Sequence, residues 1–152
     1  MRKIIFRGKR LDNGMWANGF YLQGGYIPGA NKENVKVRHI ISDDFYYDVD
    51  PDTIGPFTGL FDKNGKEVYE GDIILWTRKN VHIEGRPLQD LSYMCVIYYD
   101  EVKCAFQFRC ELQCGACVGC LDFDDDRASD SYIEVVGNVH DNPDLVEKGG
   151  EQ

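Results

Sequence analysis

Apolar residues recur at every second position through most of this chain, the period of strands with one buried face. Ile4 and Phe6 make the first such face, and Trp16, Phe20 and Leu22 line one side of the run that follows Asn13 and Gly14. An Asn-Gly pair supplies the positive φ that tight turns require, so residues 3–23 predict a hairpin. Val35, Val37, His39 and Ile41 predict a third strand. Residues 57–76 read as strand, turn, short strand and strong strand around Asn64 and Gly65, with Gly71 breaking the pattern before Ile73 resumes it. The runs 73–76 and 93–99 are apolar on both faces, which predicts central strands or a contact with another subunit. Cys104, Phe106, Phe108 and Cys110 share one face of the next strand, and Ile133, Val135 and Val139 mark the last. Residues 79–92 and 111–131 lack periodicity and read as long loops, and no helix of ordinary length stands out.

Composition sharpens this picture. A chain of 152 residues with 43% hydrophobic residues, 16 Gly and only 5 Pro buries a real core and turns often, the profile of a mainly β protein. No run approaches the roughly 20 apolar residues of a membrane span, and the opening apolar run is too short for a signal peptide, so a cytoplasmic protein without a membrane partner is expected. In that reducing compartment the thiols are expected to be free, metal-bound or packed. With 17 Lys plus Arg against 26 Asp plus Glu, the formal charge of −9 repels phosphate backbones and disfavours nucleic acid. The acids gather at 43–52 and 122–134, which read as solvated loops.

Four of the six cysteines, Cys110, Cys114, Cys117 and Cys120, fall within eleven positions. Thiolates so close together are candidate zinc ligands, with His82 or Cys104 as substitute donors. Their C-x3-C-x2-C-x2-C spacing matches neither paired zinc knuckles nor the bacterial cluster-binding run. Cys110 also continues the face of Phe106 and Phe108, which favours a packed core thiol and no cofactor. Neither acidic stretch carries the Gly and Glu of a calcium loop, the three histidines are isolated, and no serine lies in a nucleophile motif. Glu70 and Asp72 flank Gly71, which reads as a turn. No catalytic residue is assigned, and a non-enzyme is expected.

Three blocks, FRGKRLDNGMWANGFYLQ at 6–23, YDVDPDTIGPFTGLFDKNGKEVYEGDII at 47–74 and EVVGNVHDNPDL at 134–145, together resemble the YopX family of phage and prophage proteins. The resemblance implies a phage or prophage origin, a C-terminal small strongly bent barrel of the Src-homology type, and assembly into homo-oligomers. It carries over no catalytic residues, and the cysteine-rich stretch lies outside the family signature.

The expected architecture is therefore a β-hairpin-rich N-terminal region over residues 1–50, a small β-barrel over 51–145 and a flexible tail over 146–152. The expected role is a non-catalytic accessory module that binds itself or an unknown protein partner. Trp76, Tyr93 and Tyr99 are the candidate interaction surface. A metal-binding protein using the loop 110–120 and a nucleic-acid-binding barrel are the alternatives.

Overall fold

Turns and caps set where the strands of this protein begin and end. The computed structural model describes residues 3–23, 38–42, 45–112, 115–120 and 131–147, with the backbone alone for 38–42, 111–112, 115–120 and 147. The chain divides into two units, Met1–Gly59 and Leu60–Gln152, and the division falls within a strand.

In the first unit β1 (Phe6–Lys9) and β2 (Trp16–Gln23) form the expected hairpin. Gly14 takes φ +70°, and the Asn13 side chain accepts a hydrogen bond from the Met15 amide at 2.9 Å, closing the turn locally. Strand β3 (Arg38–Ser42) pairs with β2, and β4 (Phe45–Asp48) pairs with β3. On the other side of β1 runs β5 (Gly55–Phe61), which crosses the division between the units. Between β4 and β5 the acidic stretch is a cap: Asp50 accepts from the Asp52 amide, and the Thr53 hydroxyl accepts from the Lys9 amide at 2.9 Å. The core here is small, Ala17 and Val49 with Phe6, Tyr47 and Ile54 packed on them.

The second unit holds β6 (Glu67–Tyr69), β7 (Asp72–Val81), β8 (Gln89–Asp100), β9 (Ala105–Leu112), β10 (Gly115–Cys120) and β11 (Ser131–Asn138), then one helical turn, α1 (Asp144–Glu147). Five of these strands make an antiparallel sheet in the order β10-β9-β8-β7-β11. Val68, Ile74, Cys95, Ile97, Phe108, Cys110, Ile133 and Val135 form its buried cluster. Successive residues Ile73 and Ile74 point to opposite faces of β7, and both are fully buried. The two-sided apolar pattern is thus satisfied by a central strand.

Backbone pins surround that core. The buried carboxylate of Asp62 accepts from the amides of Asn64 at 2.8 Å, Lys66 at 2.9 Å and Val135 at 3.1 Å, tying the turn after β5 to β11. Gly71, at φ +80°, donates to the Ile97 carbonyl and accepts from the Val139 amide, each at 2.9 Å. Beyond the irregularity between Val135 and Gly137, the Asn138 side chain accepts from the amides of His140 and Asp141 and donates to the Asp141 carboxylate. Gly137 is required there, because a Cβ would stand 2.6 Å from the Asn142 Oδ1.

The mainly β expectation holds, with two antiparallel sheets and one turn of α-helix among the described residues. Several details differ. The paired strands of the second unit leave β10 and β11 at the ends of an open sheet, and no closed barrel forms among the described residues. The stretches read as loops contain strand: β7 and β8 extend into 79–92, and the end of β9 and the whole of β10, paired antiparallel, fall within 111–131. Cys104 does not continue the face of Phe106; it lies exposed in the turn before β9 at φ +51°. Helix α1 occupies the first residues of the expected tail. Val35 and Val37 lie outside the described residues, and β4 falls in a stretch expected to be an acidic loop.

Candidate functional site

Alternation in β2 places Ala17 and Tyr21 on one face and Trp16, Phe20 and Leu22 on the other. The first face meets the core, with Tyr21 5.4 Å from Phe6 between ring centroids. On the second, register sets Arg7 and Lys9 of β1 beside Asn18 and Trp16. The Arg7 guanidinium lies 4.7 Å from the Trp16 ring centre and the Lys9 ammonium 5.7 Å, so two cations stand against the indole. Farther along this face Phe20, Ile41 and Tyr46 form one cross-strand row over β2, β3 and β4, with Leu22, His39 and Asp48 forming the next. Phe20 is 67% exposed and Tyr46 60%. Phe20 and Tyr46 lie two strands apart in one row of a single sheet face, an arrangement more informative than scattered exposed apolar residues.

The two units differ in charge. Residues 1–59 carry 8 Lys plus Arg against 7 Asp plus Glu, whereas residues 60–152 carry 9 against 19. The exposed aromatic row therefore belongs to a nearly neutral unit, and the charge of the chain is concentrated in the other.

The expected surface residues lie elsewhere. Trp76 and Tyr93 stand directly opposite on β7 and β8, 5.7 Å apart between ring centres, and both pack half-buried on the core cluster. Trp76 also contacts Phe108 at 5.0 Å. Tyr99 is more open, at 41%, and lies against Phe106. The three do not form one exposed patch. Sequence pattern located the strand face of Phe20 and Leu22 but assigned no surface to it, because alternation marks the apolar face of a strand without saying what covers that face.

Among the candidate ligands, Cys110 is joined by a disulfide to Cys95, its direct opposite on β8, with Cα atoms 4.1 Å apart. Cys110 is packed in the core as expected, but for Cys95 and Cys110 the disulfide corrects the expectation of free or metal-bound thiols; the close approach of opposed residues on neighbouring antiparallel strands brings the pair within bonding reach. Cys117 stands opposite Cys110 on β10, while Cys120, three positions on, has the opposite strand parity. Cys114 lies outside the described residues. Of the substitute donors, Cys104 is an exposed free thiol and His82 is exposed in the β7–β8 hairpin. Among the described residues no group of three or more His, Cys, Asp or Glu side chains is arranged to hold a metal.

The carboxylates flanking Gly71 serve as backbone acceptors. Glu70 accepts from the Tyr99 amide at 3.1 Å, and buried Asp72 accepts from the Tyr69 amide at 2.8 Å. Asp62 carries a pKa below the ordinary carboxylate value: burial raises it, and the amides of Lys66, Val135 and Asn64 outweigh that by stabilising the anion. A carboxyl held ionised by three backbone donors is suited to fixing a turn, and poorly suited to moving protons at neutral pH.

Comparison with known proteins places these features in context. A family model described as YopX protein matches residues 5–147. No curated protein matches the chain significantly. Among solved structures, the crystal structure of protein EF1440 from Enterococcus faecalis is similar at 18% identity, over 96% of this chain and 99% of that one, with a TM-score of 0.44. Among the described residues no helix is long and apolar enough to cross a membrane.

Proposed function

The chain belongs to the YopX family, and from that premise we propose a non-catalytic accessory protein of phage or prophage origin, working in the cytoplasm of a bacterial host, that assembles with copies of itself. The observation that carries this reading is the aromatic row on the first unit, with Phe20 and Tyr46 each more than half exposed on one sheet face. Burying an aromatic side chain of this size contributes on the order of 1.5–3 kcal/mol, and a two-fold contact counts each residue twice. Charge supports a second copy as the partner, since like units meeting through residues 1–59 carry almost no net repulsion, while contacts through residues 60–152 oppose strongly acidic surfaces.

The non-catalytic part of the proposal rests on the carboxylates. Asp62, Glu70 and Asp72 accept backbone hydrogen bonds within the second unit, and the residues shared with the family signature fix turns and strand ends. The Src-homology-type barrel implied by the resemblance is retained as the proposed plan of that unit. Its support is the length of β7 and β8 and the register shift between Arg78 and Val81, the kind of interruption that bends a sheet.

The test is the double substitution Phe20→Lys with Tyr46→Lys, compared with the parent chain by light scattering after size exclusion. The parent is expected to elute as an oligomer and the variant as a monomer with unchanged circular dichroism. Equal molar masses for the two proteins would overturn the proposed surface.

A further inference from the structure

The Cys95–Cys110 bond lies inside the core of the second unit, with Cys95 1% exposed and Cys110 fully buried. Register and alternation set both cysteines on the sheet face that carries Ile74, Ile97, Phe108 and Val135. Among the described residues, the members of this cluster that come from outside the five-stranded sheet are Leu60 of β5 and Val68 of β6. Val68 is fully buried there. The segment 60–69 therefore covers the face that holds the bond.

That cover is fastened at its turn. The Asp62 carboxylate accepts from the Val135 amide at 3.1 Å, the Lys63 amide donates to the Ile133 carbonyl at 3.0 Å, and the Lys63 ammonium meets the Glu134 carboxylate at 2.6 Å. All three ties run to β11, which stands at the end of the sheet beyond β7, while the cysteines belong to β8 and β9. Releasing them lifts the turn without breaking any ladder of the sheet beneath, so this opening is local and needs less free energy than global unfolding.

Breaking or making a disulfide requires a thiolate to reach one of its sulfurs, and burial denies that approach in the closed fold. We propose that the segment 60–69 is a gate over a redox latch: the Cys95–Cys110 bond exchanges with thiols in solution only while the segment is lifted, and Asp62 is the residue that keeps it shut. With the gate open, the thiolate of a dithiol attacks one sulfur, forms a mixed disulfide and releases the other cysteine as a thiolate. The second thiol of the reagent then displaces the remaining cysteine. The two cysteines gain two electrons and two protons, and the dithiol leaves as a cyclic disulfide. A bond made while the chain folds is thereby kept in a medium of soluble thiols, so the redox state of the second unit is set by the conditions of folding. This holds whether or not the chain assembles through Phe20 and Tyr46.

The test is reduction of the full chain by dithiothreitol at about pH 8, where the thiolate of the reagent is plentiful, with aliquots quenched by excess maleimide in denaturant and digested with trypsin. Cys95 is the one cysteine of the fragment 80–103, so its alkylation reports the broken bond. In native buffer the parent should react at least about a hundredfold more slowly than in denaturing urea. Asp62→Ala should speed the native reaction about tenfold or more, with the milder Asp62→Asn and the cover variant Val68→Ala moving in the same direction. Ile73→Val removes a methyl from a fully buried residue on the opposite face of β7, so it lowers stability without touching the cover, and its rate should stay within about twofold of the parent. A parent bond reduced as fast in native buffer as in urea would overturn the enclosure. Acceleration of Ile73→Val and Asp62→Ala in common proportion to their lost stability would assign access to global unfolding and overturn the gate.

Discussion

Replacing Asp62 with alanine removes one acceptor group from three backbone amides. The Val135 amide is buried in β11, and a buried donor left without a partner costs about 2–3 kcal/mol. Asn64 and Lys66 are exposed turn residues whose amides are able to recruit water, so each of those bonds is worth about 1 kcal/mol. Together the loss should be about 4 kcal/mol. Asp62→Asn keeps an oxygen for the turn and turns an NH2 group toward the Val135 amide, so about 2–3 kcal/mol should be lost. Urea denaturation in a Trp16→Phe background leaves Trp76 as the reporter of the second unit, and the midpoint should fall while the slope holds. The folded pKa of Asp62 is depressed, so its stabilisation is fully present above the unfolded value near 3.8 and is lost as pH falls through the lower folded value. The gap between the parent and Asp62→Asn should therefore narrow below about pH 4. A loss under about 1 kcal/mol for Asp62→Ala at neutral pH would refute the pinning role.

Other perturbations test the same physical reading. Gly137→Ala should cost about 1–3 kcal/mol by forcing a Cβ against Asn142, and pairing it with Asn142→Ala should recover part of that loss in a double-mutant cycle measured by urea melts. Gly71→Ala should cost about 1–2 kcal/mol, because the space is adequate but the backbone lies at positive φ; Gly71→Asn should cost less in the same assay. Reducing the Cys95–Cys110 bond, which links residues 15 apart in sequence, should lower stability by about 3 kcal/mol, read as a fall in urea midpoint on adding reductant.

Sequence pattern revealed those strands whose two faces meet different surroundings. Phe108 was legible because it enters the core, and Asn13 and Gly14 because the turn is encoded locally. The β7–β8 hairpin beyond Arg78 was not, since Lys79, Asn80 and Asp90 are exposed and alternation carries no signal where neither face is buried. Strand β10, GACVGC, is an edge strand whose glycines at 115 and 119 resemble those of a loop in sequence. The pairing of Cys95 with Cys110 depends on the register between two strands, which no local spacing specifies. Gly137 could have been noticed as the small residue before Asn138 and Asn142, but only the folded turn shows what a side chain there would strike. The exposure of Phe20 and Tyr46 was hidden most completely, because an apolar face looks the same in sequence whether its own chain or another copy covers it.

Self-assembly is the central claim, and native mass spectrometry of the parent chain tests it most directly. Whole multiples of the 17.4 kDa subunit mass, persisting on dilution to low micromolar concentration, are expected. A spectrum containing only the single-subunit mass at tens of micromolar would contradict it.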